Sequence, residues 1–188
     1  MENEVDPQTE QKPEKKKTDV KKEILEWVKD IAIALVIVFI VRTFLFTMIR
    51  VDGTSMLETL QDNDRLAVTI IDLKINGPQR NDIVICTYPG ADHLCVKRVI
   101  GMPGDTLEIR MGVTYLNGEP YDEPYVTHPR LENYGPITMG EDEYFVMGDN
   151  RYVSHDSRAR DVGPLKKSAI GGKARLRVWP FSAIGTFE

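Results

Sequence analysis

Hydrophobic and polar positions divide this chain into three stretches of different pattern. Residues 1–30 are dominated by charges, with seven lysines and nine acidic residues. Residues 31–49 are almost continuously apolar, with Arg42 as the single charge. Beyond them, short apolar runs alternate with Gly, Pro, Asn and Asp. This pattern predicts a disordered tail over 1–23, a helix over 24–49 and a folded domain over 50–188.

The apolar run has the length of a membrane span. As a helix, its residues would extend about 28 Å, close to the thickness of the hydrocarbon core of a bilayer. A buried core helix would need a polar face, which the run lacks. A cleaved secretory signal would end in small residues, whereas bulky residues stand from Phe44 to Ile49. An uncleaved single-pass anchor in the lipid bilayer explains the run best.

Basic residues on either side of the run predict its orientation. Six lysines lie within residues 15–29, whereas only Arg50 and Arg65 lie in the comparable stretch after the run. Basic residues that flank a span tend to stay in the cytoplasm. We therefore expect a cell-membrane protein with a cytoplasmic N-terminus and an extracytoplasmic folded domain.

The folded part predicts a mainly β domain. Its apolar runs are short, rich in β-branched and aromatic residues, and bounded by turn-forming residues. The predicted strands are Leu66–Ile71, Ile83–Tyr88, Leu94–Ile100, Leu107–Arg110, Val113–Leu116, Tyr144–Met147 and Ala174–Trp179. Within about 106–142, four prolines and several acidic residues interrupt the pattern. We expect a small inserted subdomain there.

Charge and histidine content exclude some functions. The chain carries 24 Lys+Arg against 29 Asp+Glu, a formal net charge of −5. A nucleic-acid-binding protein would normally carry a basic surplus, so we expect no nucleic-acid partner. The three histidines, His93, His128 and His155, have no metal-binding spacing. We therefore expect neither a metal nor an organic cofactor.

Two cysteines, Cys86 and Cys95, lie on consecutive predicted strands that are separated by turn residues. A disulfide across the two strands is conceivable on the outer side of the membrane. Two independent thiols are equally compatible with the sequence, because spacing alone does not give the distance between the Cα atoms.

Three stretches contain candidate chemistry. Ser55 follows a glycine in a turn soon after the apolar run, although a plain turn would look the same. Lys97 and Arg98 lie within a strand whose two faces are both largely apolar. A lysine buried there would have a lowered pKa and could act as a base, whereas an edge-strand lysine would remain solvated.

The third stretch follows the strand that ends at Met147. Gly148 and Asp149 begin a polar loop in which Asp156 and Arg158 could form an ion pair. Serine hydroxyls of this loop could orient a neighbouring amine. An ordinary turn with surface charges is the alternative interpretation.

These stretches together resemble the bacterial type I signal peptidases, of the small single-span kind found in Gram-positive organisms. The resemblance extends from about residue 25 to the C-terminus. The motifs that carry it are Gly53-Thr-Ser-Met56, Arg80-Asn-Asp-Ile-Val84, Val96-Lys-Arg-Val-Ile-Gly-Met-Pro-Gly-Asp105, Gly148-Asp-Asn-Arg151 with Ser154, Asp156, Ser157 and Arg158, and Ile170-Gly-Gly-Lys-Ala174 with Trp179-Pro180. The lysine motif and the last loop motif are long and specific.

The resemblance implies a role for each matching residue. Ser55 would be the nucleophile and Lys97 the general base of a Ser/Lys dyad. The supporting residues would be Ser154, which would hydrogen-bond the lysine, the ion pair of Asp156 with Arg158, and the turn at Gly148 and Asp149. Met56 and Val96 would bind substrate in a shallow pocket for small side chains.

The implied activity is that of a membrane-anchored serine endopeptidase. It would remove the signal peptides of exported preproteins after small residues at positions −3 and −1. The alternative is a non-catalytic paralogue that binds exported chains. Two departures from the family pattern bear on the site: Glu58 replaces a usual proline, and Gly53 stands where some members have a serine. The acidic side chain of Glu58 is expected to oppose a lowered pKa of Lys97.

Overall fold

The computed structural model of the chain describes residues 20–40 and 46–187. The chain divides into two compact units, with the boundary between Phe39 and Ile40. The described residues of the first unit all belong to α1 (Val20–Ile40), so the last residues of the predicted tail, from Val20 on, are helical. Within the described residues, we find no helix whose length and apolar character would allow it to cross a membrane. The predicted tail up to residue 19 and residues 41–45 of the predicted helix lie outside the described residues.

The first strand, β1 (Phe46–Arg50), occupies the end of the segment for which the sequence predicted a helix to residue 49. It pairs residue by residue with β2 (Arg65–Thr69) in antiparallel register. Ile49 packs against a buried cluster, whereas Met48, the preceding residue, is exposed. This alternation is that of a strand, and it is hidden in the sequence because the neighbouring residues are apolar throughout.

The second unit is built from antiparallel strands in two sheets, which confirms the mainly β prediction. Its further elements are α2 (Ile71–Asn76), β3 (Ile83–Thr87), β4 (Leu94–Gly101), β5 (Thr106–Arg110), β6 (Val113–Leu116), β7 (Glu119–Pro120), β8 (Tyr134–Thr138), β9 (Glu143–Met147), β10 (Leu165–Lys166) and β11 (Ile170–Trp179). The seven-stranded sheet has the order β1-β2-β11-β3-β4-β9-β10, and the four-stranded sheet has the order β7-β6-β5-β8.

The four-stranded sheet is formed by one continuous stretch of chain, from Thr106 to Thr138. This stretch lies within the region for which the sequence predicted an insertion. Its core contains Leu107, Ile109 and Leu116, together with Phe145 and Met147 from β9 of the larger sheet. The two sheets therefore share one buried cluster.

One further predicted strand is shorter in the structure, and three short strands were not predicted. The strand predicted over Leu66–Ile71 ends at Thr69, because α2 begins at Ile71. The short strands β7, β8 and β10 have too few apolar residues to be visible in the sequence. Pairing with neighbouring strands, rather than local propensity, determines such segments.

Cys86 and Cys95 are directly opposite each other in the register of β3 with β4. Both are free thiols in this structure. The cross-strand proximity that the sequence left open is therefore present, and the disulfide is not formed.

Candidate active site

A cleft with a volume of about 620 Å³ opens between the chain that follows β1 and the first half of β4. The lining includes Ser55 and Lys97, and both predicted pocket residues, Met56 and Val96, contribute to it. Met56 is 1% exposed and packs with Val96 in the same buried cluster. The cleft therefore has an apolar floor next to a hydroxyl and an amine.

Ser55 lies in a turn that is fixed to the rest of the domain by its backbone. Its carbonyl oxygen accepts a hydrogen bond from the Asn150 backbone N–H at 3.1 Å. The Asn150 side chain donates to the Thr54 carbonyl oxygen at 3.2 Å. Gly53, with a φ of 96°, allows the chain to enter this turn in a conformation that side-chain-bearing residues rarely adopt. The loop after β9 thus positions the Ser55 segment.

Lys97 projects from β4 into the cleft and reaches Ser55. Its Nζ donates to Ser55 Oγ at 2.8 Å and to the Val96 carbonyl oxygen at 3.0 Å. Lys97 is only 4% exposed, and this burial lowers its pKa. The nearby Cys95 and Cys86, followed by Asp156 and Asp149, act in the opposite direction. The net effect favours the neutral amine, which can accept a proton.

Ser154 lies beside the site, although not in the contact that the resemblance implied. Its Oγ is buried and has no hydrogen-bond partner among the described residues, so it does not bind Lys97 here. Ser154 Oγ and the Ser55 carbonyl oxygen both lie close to the position that a β-carbon on Gly148 would occupy. The absence of a side chain at Gly148 therefore leaves room for both groups beside the site.

Asp156 and Arg158 form an ion pair beneath the site. Arg158 Nε lies 2.8 Å from Asp156 Oδ1, and a second guanidinium nitrogen lies 2.9 Å from Oδ2. Asp156 Oδ2 also accepts from the Gly148 backbone N–H at 3.0 Å. Burial alone would raise the pKa of Asp156, but Arg158 and this N–H hold it below its usual value. The carboxylate therefore stays charged and fixes the backbone at Gly148.

Asp149 and Arg98 form a second buried pair, which the sequence reasoning did not identify. Arg98 donates to both carboxylate oxygens of Asp149, at 2.9 and 2.7 Å. Asp149 also accepts from the Thr59 hydroxyl at 2.5 Å. Lys97 and Arg98 are adjacent on β4, so their side chains point to opposite faces of the strand. Because both faces are largely apolar, the sequence already indicated that Arg98, like Lys97, is buried. A buried charge needs a partner.

Asn81 contacts the segment that follows β7 of the smaller sheet. Its Oδ1 accepts from the hydroxyls of Tyr121 and Tyr125, at 2.7 and 3.2 Å. Its carbonyl oxygen accepts from Arg98 at 3.0 Å, and the guanidinium of Arg98 lies 3.9 Å from the centre of the Tyr125 ring. Asn81 therefore connects the segment after β6 to the strand that carries Lys97.

Substitutions of Asn81 are expected to lower the free energy of unfolding to different extents, because alanine and glycine differ in how well they tolerate its backbone conformation. Its φ of 68° lies in the left-handed region. This backbone conformation has a free-energy cost of about 1–2 kcal/mol for alanine and no such cost for glycine. We expect Asn81→Ala to lower the free energy of unfolding by about that amount more than Asn81→Gly does. Denaturant unfolding of the two variants measures the difference, and equal values would contradict this account.

Glu58 is exposed to solvent. The groups whose charges act on Lys97 are Cys95, Cys86, Asp156 and Asp149. Glu58 is not among these groups, and its expected effect on the pKa of Lys97 stays a prediction.

Within the part of the chain that the structure describes, no group of three or more His, Cys, Asp or Glu side chains is placed to hold a metal ion. His93 and His155 line the cleft, but both are exposed. The Nε2 of His155 lies 3.0 Å from Asp161 Oδ2 at the surface. Besides these two exposed imidazoles, the cleft contains the hydroxyl of Ser55, the amine of Lys97 and the thiol of Cys95.

Comparison with known proteins identifies the family. Residues 24–179 match the family model described as signal peptidase, peptidase S26. The chain is 38% identical over 183 residues to Signal peptidase I of Bacillus amyloliquefaciens, with 92% of this chain and 97% of that protein covered. It is 39% identical over 181 residues to Signal peptidase IB of Staphylococcus aureus strain COL, with 87% and 93% covered.

Among solved structures, the chain is similar to the crystal structure of a signal peptidase I from Enterococcus faecalis V583. That match has 34% sequence identity and a TM-score of 0.43, and it covers 51% of this chain and 95% of the other. The family assignment rests on the sequence matches, which cover most of both chains. The chain therefore belongs to the peptidase S26 family of signal peptidases, and it is a serine peptidase of the signal peptidase I type.

Proposed function

We propose that the chain removes signal peptides from exported preproteins, with Ser55 as the nucleophile and Lys97 as the general base. The observation that carries this proposal is the 2.8 Å contact between Lys97 Nζ and Ser55 Oγ inside the cleft. A serine hydroxyl is a weak nucleophile until a neighbouring base removes its proton. A buried amine with a lowered pKa is such a base.

In the proposed mechanism, neutral Lys97 accepts the Ser55 proton while Oγ attacks the carbonyl carbon of the residue at position −1. The resulting ammonium then donates its proton to the leaving amine, and an acyl-enzyme remains on Ser55. Lys97 next activates a water molecule that hydrolyses the ester and releases Ser55. Because Gly53 has no side chain to donate, the oxyanion would rely on backbone N–H groups of the Ser55 turn.

The proposed specificity is for small side chains at positions −3 and −1. The apolar floor contributed by Met56 and Val96 is buried and packed, so it leaves little depth for a bulky side chain. An extended substrate could also form main-chain hydrogen bonds with a strand at the cleft, which would supply affinity without demanding a sequence.

We also propose that the segment before β1, residues 24–45, contributes a membrane anchor, with the catalytic domain on the extracytoplasmic side. This rests on the apolar sequence of 31–45 and the lysines that precede it. An anchor would confine the enzyme and a membrane-inserted signal peptide to the same surface, which raises their effective concentration without any new contact.

The function is tested by incubating the purified full chain in detergent with a preprotein that has Ala at −3 and −1. We expect cleavage after the −1 residue, identified by N-terminal sequencing, and its loss when −1 is changed to Phe. Ser55→Ala is expected to be inactive, whereas Ser168→Ala, at an exposed serine, retains activity. A wild-type chain that binds the preprotein without cleaving it would instead support the non-catalytic alternative.

The pH dependence of cleavage follows from the buried lysine. The base must be neutral, so activity rises with pH through the pKa of Lys97. Because burial lowers that pKa from 10.5, we expect the rising limb of kcat/KM to have its midpoint below 10.5. A pH–rate profile measures this midpoint. A limb centred at or above the ordinary lysine value would contradict the assignment of Lys97 as a buried base.

A further inference from the structure

The two cysteines form a thiol pair next to the proposed dyad, and the mechanism uses neither of them. Cys86 on β3 and Cys95 on β4 are paired directly across the ladder, and both are free. Directly opposite residues of antiparallel strands have Cα atoms about 4.5–5.5 Å apart. A disulfide spans Cα separations of about 4.4–6.8 Å, so this pair can be bridged without moving the strands apart.

The surroundings of the two thiols differ. Cys95 is partly exposed and lines the cleft, two residues before Lys97 on the same face of β4. Cys86 is 0% exposed and lies in a buried cluster against which Cys95 packs. Burial raises the pKa of the Cys86 thiol to about 12, against the opposing effect of Lys97. A reagent in the cleft can therefore reach Cys95 but not Cys86, and the Cys86 thiol is a poor nucleophile at neutral pH.

We propose that Cys95 and Cys86 are a two-step modification site in the cleft for small disulfides. In the first step the Cys95 thiolate attacks one sulfur of a disulfide RSSR, which forms Cys95–S–S–R and releases one RS⁻. In the second step Cys86 loses its proton and attacks the Cys95 sulfur, which forms the Cys86–Cys95 bond and releases the second RS⁻. The two cysteines are oxidised, and RSSR is reduced to two thiols.

The two products have different consequences for the cleft. The R group of the first product occupies space between Cys95 and the Ser55–Lys97 contact, so it blocks substrate. The cross-strand disulfide of the second product leaves only two sulfur atoms there, so the cleft is open again. The high pKa of Cys86 makes the second step the slower one, because only the thiolate attacks. The effect on cleavage rests on the proposed function, whereas the thiol chemistry does not.

The test uses oxidised glutathione as the disulfide and the full chain in detergent, with intact mass and free-thiol titration as readouts. We expect wild type to pass through one glutathione adduct to an internal disulfide with no free thiol. Cys86→Ser is expected to stop at the adduct, and Cys95→Ser to remain unmodified until the chain is unfolded in urea. The proposal is overturned if wild type keeps both thiols, or if folded Cys95→Ser reacts as fast as wild type.

Cleavage is measured on the same samples, each compared with its own untreated form. The Cys86→Ser adduct is expected to lose about tenfold or more of its activity, because the substrate can no longer be positioned, and dithiothreitol should restore it. Wild type with the internal disulfide should regain its activity. Full activity of the adduct would overturn the blocking step. If untreated wild type does not cleave at all, the proposed function fails while the mass and thiol readouts still decide the modification site.

Discussion

Lys97→Met is expected to reduce kcat/KM by about four orders of magnitude, the upper range for the loss of a general base. Methionine has nearly the same length and fits the buried path of the lysine chain, but it has no nitrogen to accept the Ser55 proton. The 2.8 Å contact with Ser55 Oγ is lost, and no other described amine or imidazole contacts that oxygen. The measurement is the cleavage rate of a preprotein with small residues at −3 and −1.

Lys166→Met is the matched control for this change. Lys166 is an exposed lysine on β10 that pairs with Glu143 at the surface, away from the cleft. We expect it to cleave at the wild-type rate. Thermal unfolding of both variants should show a folded domain, because removal of a buried amine does not leave a buried charge. If Lys97→Met retained more than a tenth of the wild-type activity, Lys97 would not be the base.

Gly148→Ala is expected to lower kcat/KM by about 100-fold or more, because small displacements of a catalytic group have effects of this size. A β-carbon at Gly148 would lie well inside 3.0 Å of both Ser154 Oγ and the Ser55 carbonyl oxygen. The Ser55 carbonyl is backbone, held by the Asn150 N–H, so it cannot rotate away. Ser55 must therefore shift relative to Lys97.

The control for this change is Gly171→Ala on β11. There the nearest atom to an added β-carbon is the Ile85 carbonyl oxygen at 3.9 Å, an ordinary van der Waals distance. We expect wild-type cleavage for Gly171→Ala, and for Gly148→Ala an additional loss of about 1–3 kcal/mol in the free energy of unfolding. Unchanged kinetics of Gly148→Ala would show that the Ser55 turn can move without affecting the chemistry.

The sequence predicted those parts of the fold that depend on local patterns. Strands β3, β4, β6 and β9 have compact β-branched or aromatic runs with clear turn signals, and all four form where they were expected. Strand β1 was assigned to a helix because its apolar neighbours hide its alternation. Its identity depends on pairing with β2, which the local sequence does not contain.

The same distinction applies to the site. The pair of Asp156 with Arg158 was predictable because its members are only two positions apart, and its geometry follows from one loop. The pair of Arg98 with Asp149 joins positions 51 residues apart, so only the fold reveals it. Ser154 shows the limit of a motif match, since its hydroxyl lies beside the site without contacting Lys97.

Strand β11 has a consequence for when the site can form. Ser55 follows β1 and precedes β2, whereas Lys97 lies on β4, next to β3. In the larger sheet these two pairs of strands are neighbours only through β11, which inserts between β2 and β3. Most of the chain must therefore be synthesised before the two halves of the sheet can join. A chain that stops before Ile170 carries both side chains but lacks the strand that joins the two halves of the larger sheet, so we expect such a chain to be inactive.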